Sequence, residues 1–150
     1  MNTPTPSPAG THAIVLFAHG ARDPRWAQPF EAVARAIRAA RPDVDVRLAF
    51  LEFMSPDLIE AGTQAAQAGY LQVDIQPMFL GSGGHVRKDL PALLDQLRAQ
   101  HPGMAWHLKP AIGEIDSVVQ AMADAALACT SEPEAGAHGS DESTQEQARP

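Results

Sequence analysis

The sequence predicts an α/β fold in three layers, with a four-stranded parallel sheet flanked by helices. Three observations predict it. Four apolar strand-like runs alternate with four stretches of helical period, the pattern of strand and crossover helix. The longest unbroken apolar run, Ala13 to Ala18, is far below the ~18–20 residues needed to span a bilayer, so it reads as a buried strand. The residue types suited to chemistry fall in the loops that follow the runs, at the sheet edge where ligands bind in such folds.

The first strand is residues 12–18, rich in Ile14, Val15, Leu16 and Phe17. Trp26, Phe30, Val33, Ala34 and Ile37 then recur at helical spacing and predict the first helix. The second strand is 44–50. Pro56 suits the first turn of the next helix, where Leu58, Ile59, Gly62, Ala65 and Ala66 share a face before Gly69 stops it. The third strand is 70–79. After Gly81-Ser82-Gly83-Gly84 a helix carries Leu90, Leu93, Leu94 and Leu97 on one stripe. The fourth strand is 104–108. A last helix over 114–128 gathers Ile115, Val118, Val119 and Met122 on one side, with Glu114 and Asp116 at its start, where the helix dipole favours acids.

The ends differ from this middle. Residues 1–11 are Pro, Thr and Ser without apolar periodicity, and 129–150 form an acidic tail whose last twenty residues hold no Val, Ile, Leu, Met or aromatic side chain; both are expected to be disordered. One domain, residues 12–128, remains. The chain has 150 residues, 45% hydrophobic and 19% charged, with a formal net charge of −7, which argues against a broad nucleic-acid face. Five of the eighteen acids lie in the tail against Arg149 alone, so the folded body is less acidic than the total. The single Cys129 permits no internal disulfide and no CxxC metal or redox site, so a reducing compartment is expected and any metal must use His, Asp or Glu. The first residues lack the basic and apolar regions of a signal peptide, which makes the cytoplasm the expected location, with no membrane partner.

His19 ends the first strand and His85 ends the loop after the third, so both belong to one sheet edge. Two imidazoles brought together by strand ends suit a divalent metal, and an imidazole can also take a proton near neutral pH. Glu52, after the second strand, adds a carboxylate. Such a set has open coordination positions, which suits a metal in transit; the bland alternative is that each residue merely caps a helix or bonds backbone. Gly81, Gly83 and Gly84 expose backbone amides at a helix start, an anion cradle, although His85 and Val86 follow where a nucleotide P-loop needs Lys and Ser or Thr. Arg22, Arg25, Arg87 and Lys88 flank the two histidines and suit an anionic substrate, or are ordinary solvated charge. His12, His101, His107 and His138 receive no role.

The loops together resemble a known family. Strand-His-Gly-x-Arg-Asp-Pro at residues 14–24, Glu52 with Pro56 close behind, and Pro77-Met78-Phe79-Leu80-Gly81-Ser82-Gly83-Gly84-His85-Val86-x-x-Asp89-x-Pro91 resemble the class II tetrapyrrole chelatases, most nearly the short sirohydrochlorin cobaltochelatases and ferrochelatases. The resemblance covers about residues 12–127. It implies a flavodoxin-like chelatase fold and insertion of Co²⁺ or Fe²⁺, as substrate and without an organic cofactor, into sirohydrochlorin in cobalamin or siroheme biosynthesis. It implies metal-binding and catalytic roles for His19, His85 and Glu52. Arg22, Arg25, Ser82, Gly83, Gly84, Arg87 and Lys88 would then hold the carboxylates of the macrocycle. Longer relatives hold two such domains facing a cleft, so a chain of this length is expected to pair as a homodimer. Ala21 stands where the family commonly has Ser. A non-catalytic metal or tetrapyrrole carrier would need the same ligands. A histidine-phosphatase-type enzyme is a third reading, weakened because that pattern needs Arg before the histidine and Ala18 stands there.

Overall fold

The computed structural model describes residues 11–81 and 83–130. Strands β1 (His12–Ala18), β2 (Asp45–Phe50), β3 (Gln72–Pro77) and β4 (Ala105–Leu108) form one parallel sheet in the order β2-β1-β3-β4. Its helices are α1 (Gln28–Ala40), α2 (Leu58–Gln67), α3 (Gly84–Gln100) and α4 (Asp116–Ala128), with 3₁₀ turns at Pro24–Ala27 and Ile112–Glu114. The three-layer α/β reading holds.

Register explains which residues share a face. Ile14 lies opposite Val46 and Asp74, and Asp74 opposite His107, so these point to one side of the sheet, while Val15, Ile75 and their neighbours point to the other. On that second side α2 and α3 close the main core, where Val15, Phe17, Val73, Ile75, Leu58, Leu97 and Trp106 are buried. On the first side α1 packs on β2 and β1 through Ala34 and Ile37 against Leu16, Val44 and Val46. α2 begins with a capping box: the Asp57 carboxylate accepts from the Glu60 amide at 2.8 Å, and Glu60 accepts from the Asp57 amide at 2.9 Å.

Three differences from the sequence reading have physical causes. Trp26 sits in the first 3₁₀ turn rather than in α1, because Asp23 caps a separate turn ahead of Pro29. β3 ends at Pro77, which offers no amide hydrogen of its own; the Met78 amide makes one more bond, to the Phe17 carbonyl at 2.7 Å, and the chain then enters the loop with Phe79. The apolar stripe of α4 is not core: none of its residues is buried and none packs against a core cluster.

Candidate functional site

The strand ends place four loops along one edge, and hydrogen bonds beyond the last ladder rungs fix their heights. The Leu51 amide donates to the Ala18 carbonyl at 2.9 Å, and the Glu52 amide to the His19 carbonyl at 3.0 Å, so the β1 and β2 loops leave the sheet side by side. Gly20 makes this approach possible. Its φ is +89°, and a Cβ there would lie 1.9 Å from the Glu52 carbonyl oxygen. That carbonyl also accepts from the Met54 amide at 2.8 Å, closing a three-residue turn around Phe53, whose φ is 62°. A non-glycine residue held there is strained, and such strain clusters at working sites.

The other two loops are joined in the same manner. The Gly113 amide donates to the Phe79 carbonyl at 3.0 Å, and a Cβ on Gly113 would lie 2.0 Å from the Leu80 carbonyl oxygen. Phe79 is buried, and the exposed His19 ring rests against it with centroids 4.4 Å apart and planes tilted by 49°. Thus His19 touches the segment that leads into α3.

His19 and Glu52 are both exposed and adjacent through their backbones. His85 is the second residue of α3, at the same edge; its side chain and the whole of Ser82 lie outside the described residues. Among the described residues no three His, Cys, Asp or Glu side chains gather as metal ligands, so a three-ligand set at this edge needs His85. Gly83 caps α3 without a side-chain hydrogen bond, and Gly84 opens the helix.

The four cations divide into two kinds. Arg25 donates to both oxygens of Asp23, closest at 2.7 Å, and holds that carboxyl below its usual range. Arg87 lies 3.5 Å from Glu114. Arg22 and Lys88 have no ion-pair partner among the described residues, and the Arg22 guanidinium instead lies 5.2 Å from the centre of the Phe53 ring. Of the remaining histidines, His12 lies 3.0 Å from Asp74, His101 meets the Thr63 hydroxyl at 3.2 Å, and His107 is exposed on β4.

Two residues escaped the sequence reading. Phe53 and Leu80 are large, exposed apolar side chains, one beside Glu52 and one before the glycine loop. Neither stands out in the sequence, because Phe53 lies between Glu52 and Met54 with Leu51 close by, and Leu80 directly follows Met78 and Phe79. Met54 and Met78 pack against the α1 core, and Phe79 is buried in the main core.

With this geometry in place, similarity to known proteins becomes informative. The family model CbiX matches residues 13–128. The chain belongs to the CbiX family. Among structures similar to this CbiX chain is a CbiX protein from Marinobacter aquaeolei VT8, at TM-score 0.68 and 32% identity over 78% of this chain and 95% of that one. The sirohydrochlorin chelatase SirB from Bacillus subtilis subspecies spizizenii, solved in complex with cobalt, shares the fold at TM-score 0.67 and 20% identity, over 79% of this chain and 50% of its own. Curated relatives named sirohydrochlorin cobaltochelatase include those of Methanopyrus kandleri, 33% identical over 82 residues, and Methanosarcina acetivorans, 35% over 81. These alignments cover 55% and 54% of this chain, and 57% and 62% of the relatives' own lengths.

Proposed function

We propose that this chain is a sirohydrochlorin chelatase that inserts Co²⁺ or Fe²⁺ into the macrocycle, serving cobalamin or siroheme synthesis in the cytoplasm, and that residues 12–128 suffice for it. The observation that carries the reading is the hydrogen bond from the Glu52 amide to the His19 carbonyl, which sets an imidazole and a carboxylate together at the strand ends with the start of α3 beside them. Family membership and relatives named for this activity support it.

Metal insertion needs a divalent ion held weakly enough to release, and removal of two pyrrole protons as metal–nitrogen bonds form. His19, Glu52 and His85 hold the ion, and neutral imidazole accepts protons. The exposed Arg22 and Lys88 hold substrate carboxylates through charge-assisted hydrogen bonds, with the amides of Ser82, Gly83 and Gly84 as further donors. Arg25 and Arg87, tied to Asp23 and Glu114, shape the loops instead. Phe53 and Leu80 offer apolar contacts to the ring. A cleft of about 430 Å³ between α2 and α3, floored by Phe17 and Phe50, is rimmed by Asp57 and Asp89, and those acids repel a polyanion. The ring therefore lies over the loop edge. One such edge covers one side of a macrocycle, which supports a homodimer.

The test is steady-state insertion at substoichiometric protein, with Co²⁺ and Fe²⁺ in competition. His85→Ala lowers the rate ~10²–10⁴-fold while His107→Ala retains it. A carrier would stop after one equivalent, and a folded His85→Ala protein at the parent rate would overturn the site.

A further inference from the structure

The sheet order β2-β1-β3-β4 sets a charged or imidazole residue beyond each strand. Along the edge stand Glu52, His19, the start of α3 with His85, and Glu114. The first two are tied by the hydrogen bond from the Glu52 amide to the His19 carbonyl. The start of α3 is held differently. Gly83 caps the helix without a side-chain hydrogen bond, and no described atom lies within 4 Å of where a Cβ on Gly81, Gly83 or Gly84 would stand. Among the described side chains, two hold the first turn. Val86 is buried in the main core, and Arg87 reaches Glu114, its Nη2 3.5 Å from Oε1. Arg87 also closes that turn, because its amide donates to the Gly83 carbonyl at 3.2 Å. The turn so closed carries His85.

Glu114 has a firm base from which to act. Its amide donates to the carbonyl of the buried Ala111 at 2.9 Å, and the Gly113 amide donates to the Phe79 carbonyl at 3.0 Å. Its charge fits the place. The first turn of α3 contains no acid, and Arg87 and Lys88 put two cations near the positive end of the helix dipole, where a carboxylate from another loop offsets them.

We propose that Glu114 is a positioning residue for metal insertion: acting through Arg87, it fixes the first turn of α3 and with it the place of His85 at the edge. The inference rests on the reading of His85 as a metal ligand. Each half of the edge then joins a histidine to a carboxylate from the neighbouring strand's loop, Glu52 by backbone and Glu114 by charge. The side chains of Arg87 and Glu114 are 68 and 44% exposed, so the pair adds little to stability. A displaced ligand loses far more in rate and binding.

The test uses full-length Glu114→Gln, Arg87→Glu and the reversed pair, Arg87→Glu with Glu114→Arg. Asp95→Asn, which removes the exposed pair with Arg98 at the far end of α3, is the control. Co²⁺ binding is titrated without macrocycle, and insertion is measured with Co²⁺ and sirohydrochlorin varied separately. Glu114→Gln weakens Co²⁺ binding and raises the KM for Co²⁺ on the order of 10-fold, with the KM for sirohydrochlorin and the melting temperature near those of the parent. Arg87→Glu behaves alike, the reversed pair regains most of the loss, and Asp95→Asn changes nothing. Parent-like Co²⁺ binding in Glu114→Gln would overturn the proposal. So would a reversed pair no better than Arg87→Glu alone, which would mean that the Glu114 carboxylate acts directly. His85→Ala separates this inference from the reading beneath it. If His85→Ala loses Co²⁺ while Glu114→Gln keeps it, positioning falls and the metal site stands; if His85→Ala binds and inserts as the parent does, both fall.

Discussion

The imidazole of His19 lies against the buried ring of Phe79, 4.4 Å between centroids. The two follow different strands, so the orientation of a candidate metal ligand just after β1 is set by the segment that delivers the glycine loop after β3.

Phe79→Leu keeps an apolar side chain in the core but removes the flat surface under the imidazole. The expected cost is about 1–2 kcal/mol of stability, below the ~3–5 kcal/mol of a Phe to Ala change. Insertion slows on the order of 10-fold, because a ligand out of register loses more than a core residue resized. A melting curve and an insertion rate on the same preparation check this; a stable variant at the parent rate would show that Phe79 does not orient His19.

Gly20 and Gly69 both have positive φ, yet only Gly20 is crowded, since a Cβ at Gly69 meets nothing within 4 Å. Gly69→Ala therefore measures backbone strain alone, about 1–2 kcal/mol. Gly20→Ala adds a collision with the Glu52 carbonyl and costs more, with loss of metal binding. Equal melting temperatures for the two variants would contradict the close approach of the loops.

Phe53 holds φ 62° while exposing its ring beneath Arg22. Replacement by glycine relieves about 1 kcal/mol of backbone strain and removes the apolar contact proposed for the macrocycle. The protein keeps or gains stability while KM rises several-fold and kcat changes less. A reduced kcat at constant KM would place Phe53 in metal handling instead.

Arg41 beside Asp43 lowers the Asp43 carboxyl to about 2 in the folded chain, against about 3.9 for an unfolded aspartate. A depressed folded value means the pair contributes above the unfolded value and loses that contribution as pH falls toward the folded one. The pair is exposed, so its effect is small. The difference in melting temperature between parent and Asp43→Asn is present near pH 6 and shrinks between about pH 4 and pH 2; a constant difference would show that the charge is not involved.

The strands of the fold were legible because each buries a continuous apolar run, as β1 does from Ala13 to Ala18, and the glycine and histidine loops stood out by composition. Less was legible where geometry depends on contacts across the chain. Val118, Val119 and Met122 share the spacing of a core helix, yet no residue of α4 is buried, because spacing along one helix does not say whether another element packs on it. Arg25 and Arg22 look alike in sequence, yet one is held by Asp23 two residues away and the other lies over Phe53, which is distant in sequence and meets it only through the pairing of β1 and β2.

The close approaches at Gly20 and Gly113 bear on how such a scaffold can be re-engineered. Each glycine stitches its loop to a neighbour's carbonyl, Gly20 after β1 to Glu52 after β2 and Gly113 after β4 to Leu80 after β3, so the loops form two units rather than four. Transplanting a single loop from a relative of different metal preference would import side chains into a space sized for none, whereas transplanting a stitched pair would carry its own fit. Diversity at this edge is therefore best sampled two loops at a time.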